Sequence, residues 1–159
     1  MVTLRPWQPE DRPLLDRFNT PEMTAHLVGP ETPDELERRH RRYLSMEGPG
    51  GMLVICDGDT AVGSIGYWEN DEDPDAVVWE TGWSVLPEHQ GRGYAGKALL
   101  QLLDLVRADG RHSEIHAYPA VDNVPSNALC RRAGFALRSS RAFPFRGEEL
   151  LSNDWAFVL

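Results

Sequence analysis

The sequence predicts an α/β or α+β fold in which helices cover one mixed β-sheet, built as a single domain over residues 1–159. Apolar residues recur every three or four positions between Ala95 and Val106, which is the pattern of an amphipathic helix. Shorter runs rich in β-branched and aromatic residues, bounded by glycine, proline or aspartate, are typical of strands. The two kinds of segment alternate in mixed order, and no repeat or Pro/Gly/Ser-rich linker divides the chain.

The first part of the chain predicts one strand and two helices. Residues 2–7 form the strand, and residues 9–19 form a short helix with acidic side chains in its first turn. A second helix follows residues 32–33, and its buried side carries Leu36, Tyr43 and Leu44. The run RRHRR at 38–42 lies within this helix, and we interpret it as a solvated face, with a nucleic-acid patch as the alternative.

The middle of the chain predicts a hairpin and a further strand. The turn DGDT separates apolar runs at 52–56 and 61–68, and Asp-Gly between such runs favours a tight reversal. The segment ENDEDPD at 69–75 has five acidic residues among seven, so we expect a solvated loop, with attraction of a cationic substrate as the alternative. Residues 76–86 form the next predicted strand, which Pro87 ends.

The last third of the chain predicts two helices and three strands. The long helix that begins at Ala95 ends near Gly110, and a shorter helix at 124–133 is capped by Gly134. Glycine is a common helix terminator because it adopts a positive φ angle without steric cost. The predicted strands of this part lie at 114–118, 135–143 and 154–159.

Charge and cysteine usage disfavour several classes of function. A formal net charge of −9 disfavours a nucleic-acid partner, because binding to a phosphate backbone depends on lysine and arginine. The chain has no long apolar run, so we expect neither a secretory signal nor a membrane partner, and we expect a cytoplasmic protein. Cys56 and Cys130 lie 74 positions apart without a CxxC pair. We therefore infer no disulfide framework and no cysteine-ligated metal, and from the spacing of the five histidines we also expect no metal site.

The most informative segment is HQGRGYAGKALL, residues 89–100. It follows a strand and opens the long helix, so it places backbone N–H groups at a helix N-terminus, where the helix dipole also favours negative charge. Gly91 and Gly93 lack a β-carbon and allow close approach of an anion, while Arg92 and Lys97 add positive charge. The segment predicts a phosphate site; a turn that only starts the helix is the alternative.

Two phosphate-binding motifs compete for this segment. Residues 91–97 fit the GxxxxGK frame of a nucleotide P-loop, but Ala98 stands where a hydroxyl side chain would hold magnesium, and the next strand ends in no aspartate. The alternative is Gln90-x-x-Gly93-x-Ala95. It resembles the pyrophosphate-binding motif Q/R-x-x-G-x-G/A of the GNAT family of acyl-CoA-dependent N-acyltransferases.

Three further segments carry the same resemblance in the family's order. The pattern Asn123-x-x-Ser126-x-x-Leu129, followed by RRAGF, resembles the second conserved region, a helix beside the cofactor. ETGWSVLPE at 80–88 resembles the strand before the pyrophosphate loop. The opening TLRPWQPEDRPLL is similar to the first strand and helix of members related to ribosomal-protein alanine acetyltransferases. The likeness covers nearly the whole chain and is strongest over residues 76–136.

The resemblance implies a fold and a co-substrate. The fold is a mostly antiparallel sheet of six to seven strands flanked by helices, in which a central pair of strands splays apart to form the CoA cleft. The co-substrate is acetyl-CoA, and an amine attacks its thioester directly. The residues that the resemblance assigns to CoA are Val85, Leu86, Gln90, Gly91, Arg92, Gly93, Tyr94, Ala95, Lys97, Asn123, Ser126 and Arg131.

The resemblance also assigns catalytic roles. Glu80 is the candidate base, because an alkylammonium group with a pKa of about 10.4 must lose a proton before it attacks. The alternative role for Glu80 is that of a strand carboxylate paired to an arginine. The backbone N–H of Val85 is assigned to the oxyanion. Many relatives place a proton-donating tyrosine where this chain has Cys130, which we interpret as a packing residue. Tyr118 or water is then the candidate donor.

The acceptor is an amine of open identity. The family's acceptor walls correspond to residues 20–34 and to a loop at 143–152, which contain Glu22, His26, Glu31, Glu148 and Glu149. These side chains suggest a cationic small molecule or a peptide amino terminus. We expect an N-acetyltransferase for a primary amine of one of these classes, with a homodimer left open. The alternative function is a sensor or scaffold that binds acyl-CoA without turnover.

Overall fold

The computed structural model describes residues 1–159 as seven strands and four α-helices. The strands are β1 Val2–Pro6, β2 Gly50–Asp57, β3 Thr60–Asn70, β4 Val78–Val85, β5 Glu114–Ala117, β6 Ala136–Phe145 and β7 Glu148–Val158. The helices are α1 Arg12–Phe18, α2 Pro33–Leu44, α3 Tyr94–Asp109 and α4 Val124–Arg132. The helix predicted at 9–19 is divided, because a 3-10 turn at Pro9–Asp11 precedes α1. None of the helices has the length and apolar character of a membrane span.

All seven strands belong to one sheet with the order β1-β2-β3-β4-β5-β7-β6. Every neighbouring pair is antiparallel except β4 and β5, which are parallel. The predicted mixed, mostly antiparallel sheet is thereby confirmed. Pairing between β4 and β5 ends where Thr81 lies opposite Ala117, although β4 continues to Val85. β5 itself ends at Ala117, and the residues after it stay hydrogen-bonded to β7 through Pro119 and Ala120, so the last residues of β4 have no strand partner on this side and a wedge opens there.

Helices cover both faces of the sheet and form two apolar cores. On one face, the side chains of α3 that repeat every three or four residues are buried, as the sequence predicts: Ala98, Leu99, Leu102, Leu103 and Val106. On the other face, α1 and α2 contribute Leu14, Leu15 and Leu36. Val54 and Ile55 are adjacent in β2 and belong to different cores, as alternation along a strand requires.

Helix α2 begins as predicted and buries Leu36 as predicted, but Leu44 and His40 differ from the prediction. The Thr32 side chain accepts a hydrogen bond from the Glu35 N–H and caps the first turn. Leu44, predicted on the buried side, is 41% exposed, whereas His40 of the predicted solvated run is 8% exposed. The His40 ring accepts a 3.0 Å hydrogen bond from the Trp7 indole N–H. This partner satisfies a buried polar ring, and hydrophobic periodicity carries no signal for it.

The last two strands form a hairpin where the sequence predicts a loop at 143–152. Strand pairing continues to Phe145 opposite Glu148, and the turn consists of Arg146 and Gly147. Their φ angles of 50° and 80° are both positive, as a two-residue hairpin turn requires. Nearly all of β6 is exposed, so the apolar alternation that identifies a strand is missing. The acidic segment at 69–75 is likewise only partly loop, since its first two residues belong to β3.

Candidate active site

A row of backbone N–H groups at the N-terminus of α3 has no partner within the protein. Gly91 and Gly93 adopt φ angles of 76° and 80°, which glycine reaches without steric cost. The first bond of the helix runs from the Lys97 N–H to the Gly93 carbonyl. The six consecutive N–H groups from Gly91 to Gly96 donate to no other protein group. Donors grouped in this way at a helix N-terminus suit an anion with several oxygens.

Five of these six residues, all except Arg92, line a cleft of about 560 Å³. Its walls are the end of β4, the first turns of α3 and α4, and the segment between α1 and α2. Eight of the twelve residues that the sequence assigns to CoA line this cleft: Val85, Gln90, Gly91, Gly93, Tyr94, Ala95, Asn123 and Ser126. Three separate stretches of the chain thus meet around one space.

Two assigned residues with positive charge lie beside the cleft rather than in it. Arg92 and Lys97 belong to the turn and the first turn of α3, and both are exposed. Neither takes part in an ion pair within the protein, in contrast to most arginines of the chain. Their charges therefore add to the positive potential around the N-terminus of α3.

Leu86 lies outside the cleft, contrary to the sequence-based assignment. Its side chain is completely buried beneath α1 and α2. Its N–H donates to the Val62 carbonyl and its carbonyl accepts from the His89 N–H, each at 2.9 Å. Because both backbone groups have partners and the side chain is enclosed, we leave Leu86 out of the proposed cofactor site.

Arg131 is also outside the cleft, and the next residue takes its place. The Arg131 guanidinium lies 5.3 Å from the centre of the Trp155 ring, whereas Arg132 lines the cleft. Pro125, Leu129 and Arg132 recur at helical spacing and share the face of α4 that lines the cleft. This spacing is a signal in the sequence that could have identified Arg132. We therefore leave Arg131 out of the proposed site.

Val85 directs its backbone groups into the wedge between β4 and β5. The Leu86 N–H donates to the Val62 carbonyl, so in the antiparallel ladder the preceding residue points its N–H and carbonyl away from β3. On that side β5 has already separated from β4. The Val85 carbonyl accepts a 2.9 Å hydrogen bond from the Gln90 side chain. Gln90 thereby ties the end of β4 to the glycine turn.

Asn123 caps the helix that forms the opposite wall of the cleft. Its side-chain oxygen accepts a 3.3 Å hydrogen bond from the Ser126 N–H at the start of α4. The capping role that the sequence left open as an alternative is therefore present in the structure. The same side chain lines the cleft, so its amide N–H₂ can donate to a ligand.

Glu80 lies on the face of the sheet that α1 and α2 cover. Its direct neighbours across the sheet are Trp68 of β3 and His116 of β5. Its carboxylate accepts a 3.0 Å hydrogen bond from the Asn70 amide and takes part in no ion pair with an arginine. Burial raises the pKa of Glu80 above its ordinary value, although the hydrogen bond from Asn70 opposes this shift. A carboxylate of raised pKa is suited to accept a proton near neutral pH.

Tyr118 follows β5 on the same face of the sheet as Glu80. Its ring stacks on His116 with 5.9 Å between ring centres and meets the edge of Phe143 at 6.2 Å. Burial raises the pKa of Tyr118, and the charges of Asp154 and Glu80 add to this effect. The phenol therefore keeps its proton at neutral pH and can donate a hydrogen bond, while the raised pKa opposes full transfer of that proton.

His116 is held in an ion pair beside Glu80. Its Nδ1 lies 2.6 Å from an oxygen of Asp154, and its Nε2 lies 3.4 Å from Glu114. Burial acts to lower the pKa of His116, but the hydrogen bonds and charges of Asp154 and Glu114 outweigh it, so the pKa is raised. A histidine that holds its proton more tightly is a poor general base, which leaves Glu80 as the better candidate.

The histidines and cysteines do not gather around a common point. His112 and His116 have the H-x-x-x-H spacing that joins two ligands on a helix, but His116 lies in strand β5 and His112 precedes that strand, so the segment is not helical. No group of three or more His, Cys, Asp or Glu side chains is placed to hold a metal ion. Cys130 is fully buried, and burial raises the pKa of its thiol to about 12. It packs within the core, on the side of α4 that faces away from the cleft.

Comparison with known proteins agrees with this architecture. A family model described as an acetyltransferase (GNAT) domain matches residues 1–136. The chain belongs to the GNAT acetyltransferase family. The GNAT fold is shared with the acetyltransferase that modifies the N-terminal serine of ribosomal protein L7/L12 from Salmonella typhimurium, at a TM-score of 0.81 and 19% identity over 99% of this chain and 95% of that one. The fold predicted from the resemblance is therefore confirmed.

Two other acetyltransferases illustrate the range of similar proteins. Spermidine N-acetyltransferase from Vibrio cholerae, in complex with CoA and spermine, has a TM-score of 0.79 and 20% identity over 99% of this chain and 95% of that one. Mycothiol acetyltransferase from Clavibacter sepedonicus is 33% identical over 87 residues, which are 55% of this chain and 27% of that protein. The matched segment thus spans about a quarter of that relative's length, and these likenesses assign no acceptor to this chain.

Proposed function

We propose that this GNAT domain transfers the acetyl group of acetyl-CoA to a primary amine of a small molecule or of a peptide or protein N-terminus. The observation that carries the proposal is the row of six N–H groups without partners, which faces a cleft beside the wedge between β4 and β5. Structures of the ribosomal L7/L12 acetyltransferase RimL and of spermidine N-acetyltransferase contain CoA, which supports the same co-substrate here.

The cleft fits the parts of CoA in order along its length. The N–H groups of residues 91–96 would bind the diphosphate, with Arg92 and Lys97 adding charge at the mouth. The pantetheine arm would lie between β4 and α4, where Asn123 can donate to one of its carbonyls. The thioester would then reach the wedge, where the Val85 N–H points.

The chemistry assigns one task to each of three groups. Glu80 accepts a proton from the amine, directly or through water, so that the nitrogen carries a lone pair. The nitrogen attacks the thioester carbon, and the Val85 N–H donates to the oxygen that gains negative charge. The carbon–sulfur bond then breaks, the acetyl group stays on the nitrogen, and the nitrogen releases its second proton to water, which leaves a neutral amide. The CoA thiolate leaves and takes a proton from Tyr118 or from water, which restores the thiol.

A thiol-release assay tests this function. The purified chain is mixed with acetyl-CoA and a panel of amines that includes diamines, amino acids and peptides with free amino termini, and released CoA is measured with a thiol reagent. Catalysis predicts saturable release with at least one amine and an acetylated product of the expected mass. Saturable CoA binding without release from any amine would contradict catalysis and support the sensor function, which the burial of Cys130 at the usual tyrosine position favours.

A further inference from the structure

A second cavity, of about 690 Å³, lies between the C-terminal half of α2 and strands β2 and β3. It shares no lining residue with the cleft at α3. Arginines from one helix stand at its rim, and its floor is apolar, with contributions from Met46, Met52 and Trp68. The cavity therefore combines guanidinium groups with a surface that can take an apolar body.

The arginines of the rim differ in how far the protein already uses them. Arg39 is held by Glu31 at 2.6 Å and donates to the Tyr43 hydroxyl at 3.1 Å. Arg41 approaches Glu37 at 3.7 Å on the outer side of the helix. Arg42 makes no ion pair or hydrogen bond and lies 5.8 Å from the centre of the Tyr43 ring. Arg42 is therefore the group at this cavity whose charge is available to a ligand.

The positive rim is a local feature of an acidic chain. The formal net charge is −9, and Glu47 is the one acidic residue among those that line the cavity. A guanidinium that lies near an aromatic ring and has no carboxylate partner favours a planar anion such as a carboxylate, which it binds with two parallel hydrogen bonds.

Trp68 connects this cavity to the candidate base. It lines the cavity, and on the sheet it is the direct cross-strand neighbour of Glu80. Its ring extends along the same face, where its edge comes within 3.3 Å of the position of a β-carbon on Gly82. The cavity and Glu80 thus lie on one face of the sheet, with Trp68 between them.

We propose that this cavity binds an organic carboxylate with an apolar body, the carboxylate on Arg42 and the body on Met46, Met52 and Trp68. The same chemistry has two sources. One source is the distal end of an amine acceptor that extends past Trp68 to Glu80, and this source rests on the proposed function. The other source is a separate small carboxylate.

Binding is tested on the full chain labelled with ¹⁵N, with the indole N–H of Trp68 as the reporter. Phenylbutyrate is the probe and its neutral amide, phenylbutyramide, is the matched control. We expect phenylbutyrate to shift the resonance of the Trp68 indole N–H saturably, and we expect the amide to bind at least tenfold more weakly. Arg42→Ala should weaken phenylbutyrate binding at least tenfold. Arg38→Ala should leave it unchanged, because Arg38 is also exposed on α2 and outside the cavity. No saturable shift, or equal losses in both variants, overturns the proposal.

Acetylation kinetics then distinguish the two sources. Aminohexanoate and hexylamine differ by a distal carboxylate, so they form a matched pair of acceptors. A KM for aminohexanoate that rises at least tenfold in Arg42→Ala, with hexylamine unaffected, identifies the cavity as part of the acceptor site. Phenylbutyrate binding without any effect of Arg42→Ala on either KM identifies a separate carboxylate. Phenylbutyrate binding without release of CoA from any amine leaves the cavity assignment standing and contradicts the proposed function alone.

Discussion

Gly93 offers a selective perturbation of the phosphate site, because the same helix carries a matched control. Gly93 precedes the first turn of α3 and Gly110 follows its last turn, with φ angles of 80° and 72°. A β-carbon at either position would meet no atom within 4 Å. Alanine in this conformation costs about 1–2 kcal/mol, so Gly93→Ala and Gly110→Ala should lower the free energy of unfolding by similar amounts. Gly93→Ala alone changes the N–H groups that face the cleft.

The magnitude follows from the hydrogen bonds at stake. A β-carbon on Gly93 projects into open space at the cleft, and relief of the strained φ angle turns the adjacent N–H groups away from a common point. One hydrogen bond to a charged group contributes about 1.5–3 kcal/mol. Its loss should weaken CoA binding by about 10- to 150-fold, measured by titration calorimetry beside thermal unfolding of both variants. Wild-type CoA affinity in Gly93→Ala, or an equal loss of CoA affinity in Gly110→Ala, would show that the glycine turn does not bind the diphosphate.

Three other predictions test the remaining groups. Glu80→Gln should lower kcat by about 100-fold or more and leave CoA affinity unchanged. Because the pKa of Glu80 is raised, the wild-type rate should rise with pH through that pKa. The same rise of rate with pH in the variant would exclude Glu80 as the base. The pKa of His116 is raised, so its ion pair stabilises the fold below about pH 6.5, and this stability is lost as pH rises through the folded pKa. Asp154→Asn should therefore be less stable than wild type toward urea at about pH 6, and the difference in stability should narrow at higher pH. A difference that stays constant with pH contradicts the ion pair. Arg146→Ala removes hydrogen bonds of 2.6 and 3.1 Å to the Gly29 and Pro30 carbonyls. Hydrogen exchange of the amides in the β6–β7 turn should therefore accelerate, and the KM for the acceptor should rise at constant CoA affinity. Unchanged hydrogen exchange would show that these bonds do not hold the hairpin.

The glycine turn and α3 could be predicted from the sequence because their determinants are local. Positive φ angles at Gly91 and Gly93, the missing partners of the first helical N–H groups and the apolar stripe of α3 all follow from residues within one continuous segment. The same holds for Thr32, whose capping role depends on a residue three positions away. Local chemistry therefore identified the part of the site that would bind the diphosphate.

The parts that could not be predicted depend on contacts between distant segments. His40 is buried because Trp7, 33 positions away, donates to its ring. The hairpin of β6 and β7 carries little apolar alternation, and its turn places Arg146 rather than glycine or asparagine in a positive φ conformation. The cavity rimmed by Arg42 forms only because β2 and β3 pass beneath the end of α2. A run of arginines in the sequence does not reveal such a floor.

A crystal structure of the chain with CoA would show whether the N-terminus of α3 binds the diphosphate. We expect diphosphate oxygens within hydrogen-bonding distance of several N–H groups between Gly91 and Gly96, and the pantetheine arm in the wedge beside Val85. A diphosphate bound elsewhere, with these N–H groups still without a partner, would rule out this site.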